Sequence, residues 1–154
     1  MNEKFYGVCD TMPDELRRED KGAWFKSVHG TLGHLLLADR VWLGRFTRQP
    51  FVVQSLDQEL YHDWNELKSE RAQTDDAIDA WLASLSDEDL KAPFLFKGIT
   101  TPFERTFPLW VVAAHLFNHQ THHRGQLTTV MEQLGYDSGV TDLLLAPGMR
   151  LDAD

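Results

Sequence analysis

From Pro108 to Gly135 the sequence PLWVVAAHLFNHQTHHRGQLTTVMEQLG contains no internal proline, and its apolar residues return at helical rather than alternating spacing. Pro108 suits a first helical position and Gly135 a stop. At ~1.5 Å per residue such a helix is roughly 40 Å long, the full height of a small bundle. An element of that length dictates the architecture, because its apolar stripe has to be covered along the whole rod by other helices.

The rest of the chain supplies them. AWFKSVHGTLGHLLLADRVWLGRF, from about Ala23 to Phe46, has helical periodicity and no proline, with Pro50 just beyond its end. After a loop, YHDWNELKSERAQTDDAIDAWLASL reads as a further helix whose apolar contacts come from Trp64, Leu67, Ile78, Trp81, Leu82 and Leu85. Residues 1 to 12 suit a short helix, followed by Thr11 as a cap and Pro13 near a second helix start. Ser86 and Asp89 in SDEDL form a capping-box pattern. FLFKGITTPFERTF carries Gly98 and Pro102 between aromatic residues and reads as a small hairpin or ordered loop. YDSGVTDLLLAPGMRLDAD is a tail expected to pack through Leu143 to Leu145 and to fray afterwards. The expected class is all-α, an antiparallel helical bundle.

At 154 residues and 42% hydrophobic, with no Ser/Pro/Gly-rich linker, the chain suits a single domain with a sizeable core. A formal net charge of -9 and the lack of any basic stripe argue against a nucleic-acid or anionic-membrane partner. The lone Cys9 excludes an intrachain disulfide and cysteine-rich zinc sites, and it reads as a packing residue. With no signal-like leader and no apolar run of roughly 20 residues, a soluble, cytoplasmic chain is expected.

Four of the seven histidines lie between His115 and His123. At ~100° per residue His119 and His123 stand about 40° apart, and Val112, Leu116, Leu127, Val130 and Leu134 fall within about 80° of His119. The two histidines therefore interrupt the apolar stripe and point inward. HxxxH alone also suits histidines satisfied within a core or on a surface. His34 supplies a third inward imidazole, since Leu37, Ala38 and Val41 lie within about 60° of it while His29 is about 140° away. Three inward imidazoles are hard to satisfy with helix backbone, and a three-histidine set leaves a metal with open positions. His115 and His122 are read as partners of this set or as extra polar contacts. Asn118 and Gln126 flank it, Arg124 is expected in a surface ion pair, and Asp39, about 140° from His34, points elsewhere. The five tryptophans, Trp24, Trp42, Trp64, Trp81 and Trp110, lie on the helical segments and are expected in the core. HExxH, GxSxG, GxGxxG and P-loop patterns are absent, and only ELYH, Glu59 to His62, has the di-iron spacing.

SVHGTLGHLLLADRVWLGRF followed by HLFNHQTHHRGQ resembles the DinB/YfiT family of four-helix-bundle proteins, over about Phe5 to Leu144. The resemblance implies a divalent ion, zinc or nickel, held by three histidines that match His34, His119 and His123. It implies activity as a metal-dependent hydrolase or a thiol-dependent S-transferase on a small molecule, with a low-molecular-weight thiol as co-substrate and no assigned catalytic residue. A non-enzymatic, stress-associated metal or small-molecule binding protein is the alternative. Family members begin with a longer first helix than Met1 allows here, so either the start lies upstream or a second copy covers the exposed face, and a homodimer is expected. A purely structural set, with the histidines satisfied by one another and by water, is the third reading.

Overall fold

The computed structural model describes residues 1–99 and 103–145. The described chain is mostly helical with one small two-stranded sheet. Helix α1 spans Asn2–Cys9, α2 Asp14–Arg18, α3 Val28–Phe46, α4 Trp64–Ala83 and α5 Asp87–Lys91. Strands β1, Pro93–Lys97, and β2, Glu104–Pro108, precede the longest element, α6, Leu109–Gln133. A single 3-10 turn covers Leu143–Leu145.

Local chemistry fixes these boundaries. α3 starts at Val28 rather than Ala23, because the Ser27 side chain accepts a hydrogen bond from Gly30 N at 3.0 Å and Lys26 sits in the left-handed region at φ 67°. α4 starts at Trp64 rather than Tyr61, where the Asp63 side chain caps Glu66 N at 2.9 Å. Thr11 does not cap α2. Its hydroxyl donates to Val8 O at 2.7 Å and closes the end of α1, while Pro13 occupies the N-cap of α2. Ser86 and Asp89 form the expected capping box of α5. Gly135, at φ +82°, follows the end of α6 and lets Tyr136 N return to Met131 O at 3.0 Å.

Of hairpin and ordered loop, the structure has the hairpin, with β1 and β2 antiparallel from Pro93 opposite Pro108 to Lys97 opposite Glu104. Pro102, read as part of its turn, lies outside the described residues. Aromatic packing seats the hairpin on α3: Phe94 of β1 tilts against Phe46 at 5.4 Å, and Phe96 meets Trp42 edge-on at 5.0 Å.

The core is drawn from four helices. Phe5, Tyr6 and Cys9 of α1 meet Val28, Leu32 and Leu36 of α3, Trp64 and Leu67 of α4, and Leu127, Val130 and Met131 of α6. Each fully buried leucine or valine there contributes about 1.5–3 kcal/mol. Cys9 packs as expected, and burial pushes its thiol up to about 12. Two tryptophans correct the sequence reading. Trp24 is 84% exposed because α3 begins after it, and Trp110 is 55% exposed on the outer face of α6. Leu143, Leu144 and Leu145 are also exposed rather than packed. Successive residues of a 3-10 turn radiate about 120° apart, so three in a row share no face. The fraying expected beyond them falls outside the described residues. No helix of the described chain is long and apolar enough to cross a membrane.

Candidate metal centre

α3 and α6 bring His34, His119 and His123 together. Ring centroids lie 5.2 Å apart for His34 and His119, 4.7 Å for His34 and His123, and 4.4 Å for His119 and His123. His119 Nε2 sits 3.4 Å from His34 Nε2 and 3.1 Å from His123 Nε2. One ligating nitrogen from each ring falls within 4.8 Å of the others, so the trio is positioned to hold a metal ion.

The backs of the rings decide what their inner nitrogens can do. His34 Nδ1 lies 2.9 Å from Leu56 O, a carbonyl that only accepts, so Nδ1 carries the proton and Nε2 keeps its lone pair. His123 Nδ1 lies 2.8 Å from Gln126 Oε1 and is fixed in the same tautomer. His119 Nδ1 is buried without a partner among the described residues. The three convergent nitrogens therefore share at most one proton, and either tautomer of His119 leaves a lone pair facing another lone pair. A cation at that point resolves the conflict. A proton is poorly suited to the task, since burial, followed by the neighbouring His123 and His34, drives the His119 imidazole down to about 4. His34 and His123 are also lowered, chiefly by burial.

Phe25 roofs the site. Its ring stacks on His34 at 3.7 Å and meets His123 edge-on at 5.5 Å, which keeps the local dielectric low. A cavity of about 330 Å³ opens against His34, walled by Phe25, Gly33, His29 and Glu59. Its carboxylate Glu59 is already engaged, accepting from Arg18 Nη1 at 3.0 Å and lying 3.3 Å from His29 Nε2 and 3.2 Å from His62 Nδ1.

The remaining polar residues sort by tertiary position. His115 is exposed and lies edge-on to Trp42 at 5.3 Å, and His122 and Asn118 are exposed. Gln126 flanks the trio as expected. Asp39 does point elsewhere, yet it is fully buried, with Oδ2 2.5 Å from Arg71 Nη1 and also accepting from Gln120. Burial pushes its carboxyl up to about 6 against the pull of Arg71, so at pH 7 the ion pair stands. Arg124 joins this network through Gln120 Oε1 at 2.6 Å, and among the described residues it forms no surface ion pair. The sequence reading passed over Gln120, although the signal was there: on the wheel it falls within about 40° of both Leu116 and Leu127. His29, turned away from the trio as expected, is nonetheless buried and within 3.0 Å of Tyr61 O.

The DinB family model matches residues 1–151. The chain belongs to the DinB family. It is similar to Protein DinB of Bacillus subtilis (strain 168), 23% identical over 145 residues that span 92% of this chain and 84% of that protein. The crystal structure of a DinB-like protein from Bacillus cereus ATCC 10987 superposes with a TM-score of 0.65 at 22% identity, covering 91% of this chain and 89% of that one. At that identity the superposition establishes the fold. In this chain α3 and α6 pack against each other, and the inward stripes of both carry the histidines.

Proposed function

We propose that His34, His119 and His123 hold one divalent ion, zinc or nickel, and that this member of the DinB family acts through it on a small molecule. The observation that carries the reading is the fixed tautomer of His34 and His123, which turns two lone pairs toward His119 Nε2. Three imidazoles suit first-row ions of this kind, and three protein ligands leave positions open. Bound there, the ion supplies Lewis acidity toward an oxygen or sulfur nucleophile. The chain's own part is to exclude water with Phe25, to keep the inner nitrogens unprotonated, and to admit a ligand through the cavity beside His34. The activity is that of a metal-dependent hydrolase or a thiol S-transferase, with a low-molecular-weight thiol as partner. The fold is read as an antiparallel four-helix bundle of α1, α3, α4 and α6, in a cytoplasmic homodimer.

One observation favours the alternative, a stress-associated protein that binds metal or a small molecule without turnover. Glu59, on the cavity wall, is spent on Arg18, His29 and His62, so it is not a free general base.

The test is metal stoichiometry by plasma mass spectrometry on untagged protein purified without nickel resin, beside His119→Ala. About one ion per chain, lost in the variant, supports the site, whereas no metal in either sample after reconstitution overturns it. Loaded protein is then assayed on thiol-adduct and ester panels, where absence of turnover favours the binding reading. Light scattering on the same sample reads the dimer.

A further inference from the structure

The three histidines are braced differently from behind. His34 leans on a backbone carbonyl, Leu56 O, which no substitution removes, and among the described residues His119 Nδ1 has no partner. His123 alone leans on a side chain, accepting nothing and donating through Nδ1 to Gln126 Oε1 at 2.8 Å. Gln126 is one turn further along α6, at the i,i+3 position, and its other end is also occupied. Its amide nitrogen lies 3.2 Å from His122 Nε2, an i,i+4 contact on the same helix. The rings of His122 and His123 stand 4.9 Å apart at 78°.

This gives His122 a definite task. An amide that turned over would set its NH2 group against the Nδ1–H of His123, donor against donor. The acceptor nitrogen of His122 holds the NH2 end outward and so keeps the oxygen on His123. We infer that Gln126, keyed by His122, is the positioning residue that fixes the tautomer and ring angle of His123 and thereby sets the affinity of the trio for its ion. The inference rests on the metal reading above and deepens it. Outer partners of this kind change metal affinity by about 10–100-fold in characterised sites.

The experiment uses the full chain, stripped of metal, with cobalt(II) as probe. Affinity is read by competition against a chelator, ligand geometry by the visible d–d absorption, and folding by the thermal midpoint of the stripped protein. Gln126→Met keeps the volume and helix propensity but loses the acceptor, and its affinity is expected to fall about 10–100-fold with an altered d–d band. Gln126→Glu keeps an acceptor and should bind at least as tightly as the parent. His122→Ala should lose affinity in the same direction by a smaller factor. Binding by Gln126→Met within about twofold of the parent, or a loss in Gln126→Glu as large as in Gln126→Met, overturns the inference while leaving the metal site in place. A parent chain that binds no cobalt overturns both. Should Gln126→Met fail to fold, Gln126→Glu and His122→Ala decide the matter alone.

Discussion

Metal affinity should resist acid more than three histidines ordinarily allow. An imidazole with the usual value of 6.5 goes from mostly free at pH 7.5 to about nine-tenths protonated at pH 5.5, which weakens metal binding about tenfold per ligand. Three such ligands give a fall of about a thousandfold over that interval. Here burial holds His119 at about 4, so its share nearly vanishes. The ceiling drops to about a hundredfold, and His34 and His123, also lowered by burial, bring the fall below that ceiling. The same shifts work against the metal-free fold. Unfolded imidazoles keep their ordinary value and bind protons that the folded ones refuse, so the contribution of His119 is complete above about 6.5 and is lost as pH falls toward about 4. Calorimetric titration of zinc at pH 7.5 and 5.5 in non-coordinating buffers measures the first effect, and urea melts of stripped protein measure the second. A thousandfold loss of affinity between the two pH values would refute the claim that burial and crowding set these imidazoles.

Two glycines one turn apart on α3 should respond with opposite signs. Gly33→Ala places its methyl in open space and replaces a flexible helical residue, so it is expected to raise stability by about 0.5–1 kcal/mol. Gly30→Ala puts a Cβ 2.2 Å from the backbone oxygen of Phe25 and is expected to lower stability by about 1–3 kcal/mol and to weaken metal binding by shifting the ring stacked on His34. Thermal melts with a cobalt titration check both, and equal stability of the two variants would sink the steric argument. Leu127→Ala, at a fully buried position one turn beyond His123, should cost about 2–5 kcal/mol, read as a lower urea midpoint at unchanged slope.

The legible parts of the fold were those written in consecutive residues. The α6 stripe, the Ser86–Asp89 box and the inward turn of His34, His119 and His123 follow from spacing along one element, and the structure has each of them; of the two readings left open for residues 94–107, hairpin or ordered loop, it has the hairpin. Helix starts were less legible, because Ser27 and Asp63 cap by side chains that compete with continued helical periodicity upstream. Trp24 and Trp110 were misplaced for a related reason. Aromatic residues at helical spacing suit a core only if that helix turn exists and faces inward.

Periodicity therefore determined that this chain is helical, that its longest helix carries two inward histidines, and that a third stands on another helix. Only the tertiary structure decided that these three share one point, since His34 and His119 are 85 residues apart and their meeting depends on how α3 and α6 pack. It also decided that Leu56 and Gln126 stand behind His34 and His123, that Phe25 stacks on His34, and that Asp39 is matched by Arg71 across 32 residues. The physical reason is that side-chain direction is a local property of the helix, whereas a hydrogen-bond partner or a lost hydration shell belongs to whatever the fold brings alongside.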